Sequence, residues 1–134
     1  MASSSQGGIY AEFVGPYYFV ISMTADQFRR LALALPGVSE RAHMDHPDFR
    51  VGGKVFATLG YPEHGWGMVK LTAGQQRQFT RADPELFVPA KGAWGQQGCT
   101  TVCLKRAKKA TLSPAMIAAW RNHAPDELAE DVKI

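Results

Sequence analysis

Four side chains able to bind a metal or carry a proton, His43, Asp45, His46 and Asp48, fall within six consecutive positions. Two histidines and a carboxylate are the donors of many catalytic metal centres. The spacing here matches no ligand motif and Pro47 stiffens the segment, so no metal site is expected. His46 and Asp48 are expected instead to hydrogen-bond at the entry of a β-hairpin, with Arg50 pairing Asp48 on the same strand face. Nucleophiles are no better placed. Ser39 and Ser113 sit in turn or cap contexts, and Cys99 and Cys103 lie in a run of β-formers; none belongs to a nucleophile elbow or an activated Cys-His pair. Gly52-Gly53-Lys54 lacks the upstream glycines and following helix of a phosphate loop. No catalytic residue, metal or cofactor is therefore expected, and the chain reads as non-enzymatic.

Binding is the chemistry left to consider, and charge points to one form of it. The net charge of +3 hides an asymmetry, because eleven Lys and Arg residues face three acids between Arg50 and Arg121. Arg50, Lys54, Lys70, Lys105, Arg106, Lys108 and Lys109 are the candidates for contact with the phosphates of DNA. No helix rich in Arg, Asn and Gln accompanies them, so such binding would be weak and independent of base sequence. The plainer alternative is a solvated basic face. A second form of binding is a small-molecule pocket walled by Phe56, Trp66 and Trp94, with His46 and Asp48 beside it and Arg50 or Arg121 as a handle for an anion. Trp94 sits among Gly92, Gly95 and Gly98. It is expected to plug the core, the alternative being a stacking platform.

These residues need elements to hold them. Gly52-Gly53 supplies the positive φ angles of a tight turn, pairing Val51 with Lys54, Arg50 with Val55 and Phe49 with Phe56. That register puts Phe49, Val51 and Phe56 on one face and Arg50, Val55, Ala57 and Leu59 on the other. The second face is too apolar to be wet, and a partner, a second copy of the chain or one of its own ends is expected to cover it.

Thr24 to Gln27 forms a capping box opening a helix on Phe28, Leu31 and Leu35 that ends at Pro36-Gly37. Val38 to Asp45 reads as a polar connection. Trp66 to Leu71 is a third strand, with Val69 and Leu71 facing one way and Met68 and Lys70 the other. Thr72 to Gln75 caps a second helix anchored by Phe79 and Ala82, and Phe87 to Gly98 reads as a loop. Cys99 to Leu104 is a fourth strand. Its cysteines, four residues apart, stand roughly 13 Å from each other, too far for a disulfide. Ser113 and Pro114 open a last helix with Ile117 and Trp120 as its buried stripe. Pro125 interrupts it before an acidic tail with room for one more turn.

The order α-β-β-β-α-β-α, with short turns between strands, gives a two-layer α+β domain: an antiparallel sheet with helices on one face. At 134 residues the chain suits a single core. Residues 1–22 read as an extension or leader, 23–125 as the domain and 126–134 as the tail. No apolar run reaches the length of a membrane span, and the opening residues lack the pattern of a signal peptide, so the cytoplasm is the expected location.

Several of these stretches carry a resemblance. Leu33-Ala34-Leu35-Pro36-Gly37-Val38 before Glu40, His46-Pro47-Asp48-Phe49-Arg50-Val51 and Gly53-Lys54-Val55-Phe56-Ala57-Thr58-Leu59 resemble the MmcQ/YjbR-like family of small bacterial proteins. Val69-Lys70-Leu71-Thr72, the Trp94-Gly95 pair with Gly98, Ala119-Trp120-Arg121-Asn122 and Ala124-Pro125 extend the likeness, which spans about Met23 to Pro125. Cys99 departs from it, standing where a bulky residue is expected. The resemblance implies a fold similar to type III secretion chaperones and CyaY-like domains, and a "double wing" proposed to bind DNA. It brings no catalytic residues.

Overall fold

The computed structural model describes residues 11–14, 17–20, 23–43 and 45–130. Two short strands, β1 (Ala11–Val14) and β2 (Tyr17–Val20), pair antiparallel in a sheet of their own. Helix α1 (Ala25–Leu33) follows, then β3 (Ser39–His43), β4 (His46–Val51), β5 (Lys54–Leu59) and β6 (Trp66–Lys70). Helix α2 (Ala73–Ala82), β7 (Phe87–Pro89), α3 (Gly92–Gln96) and β8 (Cys99–Cys103) come next. A single 3-10 turn leads to α4 (Lys109–His123) and α5 (Asp126–Ala129). The main sheet has six antiparallel strands in the order β3-β4-β5-β6-β8-β7. This is the expected α+β arrangement, with more strands than the sequence suggests.

The central hairpin turns where expected, with Gly52 at φ 58° and Gly53 at φ 80°, angles open to a residue without Cβ. Val51 pairs with Lys54 and Arg50 with Val55, but Phe49 pairs with Ala57 rather than Phe56. A β-bulge at Phe56 is the cause. An extra residue on one strand shifts the alternation of every residue beyond it. Phe56, Ala57 and Leu59 therefore all enter the core beside Phe49 and Val51, while Val55 and Thr58 face the other side. The second face expected from strict alternation loses Ala57 and Leu59 to the core.

The core lies between the sheet and the helices. Phe28 and Ala32 of α1 and Leu112, Ala115, Met116, Ala119 and Trp120 of α4 are buried against Phe49, Phe56, Val69 and Val102. Trp120 is fully enclosed, and its Nε1–H donates to the Pro36 carbonyl at 3.0 Å, tying α4 to the end of α1. Both capping boxes expected from the sequence are present: Gln27 N–H donates to Thr24 Oγ1, and Gln75 N–H to Thr72 Oγ1, each at 3.1 Å.

Other expectations are corrected. Val38 to Asp45 is not a connection, since Ser39–His43 forms the edge strand β3, whose polar residues suit an edge that needs only one neighbour. The stretch Phe87 to Gly98 contains β7 and α3. Helix α4 begins at Lys109 rather than at Ser113, because the Thr111 hydroxyl accepts the Lys108 N–H at 3.1 Å and one more turn buries Leu112. Ile117 is only half-buried and Ala82 is exposed. Phe79 packs on Phe87, with ring centroids 5.3 Å apart. The cysteines are free, and α5 supplies the extra turn after Pro125. No helix among the described residues is long and apolar enough to cross a membrane.

Candidate functional site

With helices on one face, the opposite face of the sheet is free to form a groove, and the strand register dictates its floor. Asp48 pairs with Thr58, Thr58 with Met68 and Met68 with Thr101, a row crossing four strands on that face. Lys70 stands beside Cys99 toward the end nearer the Gly52-Gly53 turn. Adjacent strands lie about 4.8 Å apart, so the row from β4 to β8 is about 14 Å wide. The groove above it has a volume of about 980 Å³.

One wall is aromatic. Trp94, on α3, is 56% exposed and meets Tyr61 edge to face with ring centroids 6.1 Å apart. Tyr61 packs in turn on Met68, Ala90 and Cys99. A tryptophan so exposed is not the core plug expected from the sequence; more than half of its surface is open. Its position is held from behind. The Gln76 side-chain amide on α2 donates to the carbonyls of Gly95 and Cys99, both at 2.9 Å, using both of its N–H groups. Gly95 is needed for the close approach of α3 to Ala90, because a Cβ there would stand 1.7 Å from the Ala90 carbonyl oxygen.

The opposite wall is charged. Arg50 Nε and Nη2 donate to the two Asp48 carboxylate oxygens at 3.0 and 3.1 Å, the pairing expected from their shared strand face. That hydrogen bonding, aided by the carboxylate's charge, pushes the Arg50 guanidinium above its usual pKa against the opposing effect of burial. Asp48 is 4% exposed and both of its oxygens are occupied by Arg50. His46 makes no hydrogen bond to Asp48 among the described residues and packs against Gly60 instead. Lys70, Asn122 and His123 close the end nearer the Gly52-Gly53 turn, where Asn122 Nδ2 donates to the Lys70 carbonyl at 3.2 Å. Burial raises the pKa of the Cys99 thiol, and Lys70 opposes this only in part. That is the wrong direction for a nucleophile. No group of three His, Cys, Asp or Glu side chains among the described residues is placed to hold a metal.

Of the side chains expected around a ligand, His46, Asp48 and Trp94 line the groove, and so do Arg50 and Lys70 from the cationic set. Phe56 does not, since it shares the core face with Phe49 and Val51. Trp66 shares the face of Met68 and Lys70 but lies beyond the groove's far end, and Arg121 stands outside it. The remaining cations are divided. Lys54 is at the hairpin turn, whereas Lys105, Arg106, Lys108 and Lys109 follow β8 at the other end of the strands, with Arg106 paired to Glu85 at 3.1 Å. They do not form one basic layer. Tyr61, Met68, Asn122 and His123 escaped sequence reasoning; the period-2 pattern of β6 had placed Met68 with Lys70, and that signal was sufficient for Met68 alone.

The groove floor contains one anomaly. Thr58 Oγ1 is buried without a hydrogen-bond partner among the described residues. A buried unpaired hydroxyl costs free energy that a methyl group of the same shape does not, so Thr58→Val is expected to stabilise the protein by about 1 kcal/mol. Urea unfolding followed by circular dichroism checks this, and a lower midpoint would contradict it.

A helix-backed open antiparallel sheet with a groove on its uncovered face defines a class of small α+β domains. Within that class, the chain belongs to the YjbR family, whose model matches residues 33–126. Among solved structures it is similar to the Deinococcus radiodurans protein DR2400, which carries the family-model domain DUF419. The two share 17% sequence identity at a TM-score of 0.63, with 75% of this chain and 78% of that one covered, a likeness of fold. No curated protein matches the chain.

Proposed function

We propose that this YjbR-family domain is a binding protein without catalytic activity, and that its groove takes a small molecule with a flat apolar body. The observation that supports this most is Trp94, a 56% exposed tryptophan held against Tyr61 at the wall of a cavity of about 980 Å³. An exposed aromatic side chain beside an apolar concavity offers a flat ligand a surface to stack on. The probe 8-anilinonaphthalene-1-sulfonate is expected to gain fluorescence on titration with the folded protein. Trp94→Ala weakens its binding about tenfold, equivalent to ~1.4 kcal/mol for one lost stacking surface. Equal affinity in the variant, or no binding to the native chain, would remove the reading.

A second reading, weak contact with duplex DNA, draws support from a different place. Lys54, Lys105, Lys108 and Lys109 are exposed and make no ion pair among the described residues. Affinity of micromolar order that falls steeply with salt is expected on this reading. Replacing Lys105, Lys108 and Lys109 by alanine would lower the salt slope by about three. If a labelled duplex shows no shift even at low salt, DNA is not a ligand.

A further inference from the structure

The charges on the two sides of the groove say more about its occupant than its shape does. Arg50 is already engaged through Nε and Nη2 by Asp48, so this pair presents almost no net charge to a ligand. Lys70 makes no ion pair among the described residues and lines the same cavity. Counted with neutral histidines, Arg50, Asp48 and Lys70 give the groove a charge of one positive unit. Arg50 and Lys70 stand on strands two apart, about 10 Å from each other, with Val55 and Thr58 between them. On the far side of Lys70, Tyr61 packs on Met68 and Cys99 and meets Trp94.

Resting on the reading of the groove as a small-molecule site, we infer that its ligand is a flat aromatic monoanion, its charge seated beside Lys70 and its ring system against Trp94. The floor from Lys70 to the aromatic wall holds Met68 and Cys99, soft apolar surface suited to a ring face. A neutral ligand would leave the Lys70 ammonium without a partner in a concavity. A dianion would bring one charge more than the groove balances. Asp48 thus acts as a selectivity residue: by occupying Arg50 it limits the groove to one negative charge.

The test uses three probes of one shape: 2-naphthoate, neutral 2-naphthamide and naphthalene-2,6-dicarboxylate, titrated calorimetrically into the full chain. The naphthoate is expected to bind about tenfold more tightly than the amide, as one hydrogen bond to a charged group supplies. It should also bind more tightly than the dicarboxylate. Lys70→Gln removes the preference for naphthoate over the amide. Asp48→Asn frees Arg50 and moves the preference toward the dicarboxylate, a gain that damage to the fold would not produce. Failure of all three probes to bind the native chain would defeat the reading of the groove itself. Binding of the amide as tightly as the naphthoate, or a native preference for the dianion, would overturn the inference and leave the groove standing.

Discussion

Trp120→Ala is expected to destabilise the protein by about 3–5 kcal/mol, a large share of what a domain of this size has to lose. Trp120 is the largest fully buried side chain, it lies among residues of α4, α1 and the sheet, and its Nε1–H satisfies the Pro36 carbonyl at 3.0 Å. Truncation opens a cavity and strands that carbonyl at the point where α1 hands over to β3. The two losses separate. Trp120→Phe retains most of the apolar contact but no donor, and should cost less than the alanine variant while remaining above about 1 kcal/mol. Urea unfolding monitored by far-ultraviolet circular dichroism reads both, with the midpoint falling and the slope unchanged. A shift below about 1 kcal/mol for the alanine variant would mean that α4 is not clamped to the sheet as described.

Gly95→Ala is expected to have the largest effect on the groove. Its Cβ would stand 1.7 Å from the Ala90 carbonyl oxygen, and backbone cannot yield as a flexible side chain does. Helix α3 must move, breaking the Gln76 amide's hydrogen bond to the Gly95 carbonyl and displacing Trp94 from Tyr61. We expect a stability cost of about 3 kcal/mol, the upper part of the range for overpacking. Loss of naphthalenesulfonate binding should be at least as large as in Trp94→Ala, although the indole itself remains. Trp94→Phe, which keeps a ring without touching the clamp, should recover part of the affinity. If Gly95→Ala bound the probe as the native chain does, the position of Trp94 would be irrelevant to binding.

The elements that declared themselves in the sequence were those with local chemistry. Thr24 with Gln27 and Thr72 with Gln75 are reciprocal caps, each satisfied within four residues, and both are present. The double-glycine turn is equally local, and so is the Asp48–Arg50 pair two residues apart. What the sequence concealed depends on distant partners. The bulge at Phe56 shows only in the pairing with β4, and a single extra residue moved Ala57 and Leu59 from the expected outer face into the core. Strand β3 has almost no apolar residues and exists because β4 offers it an edge. β7 contains Pro89 and only three residues, and is defined by β8.

The candidate site was legible in the same proportion. Its charged wall lies on one strand and follows from alternation, so His46, Asp48 and Arg50 could be found from spacing alone. Its aromatic wall joins Tyr61, from the loop after β5, with Trp94 on α3, and no pattern in either segment announces the contact. His123 and Asn122 reach the groove only because α4 ends where β6 passes into α2.

Backbone amide shifts of isotope-labelled protein, followed through a titration with 2-naphthoate, test the central claim most directly. The account predicts that the perturbed residues cluster at Thr58, Met68, Lys70 and the segment around Trp94, leaving Lys105 to Lys109 unmoved. Perturbations confined to that lysine segment and the Lys54 turn, or spread without pattern over the surface, would contradict it.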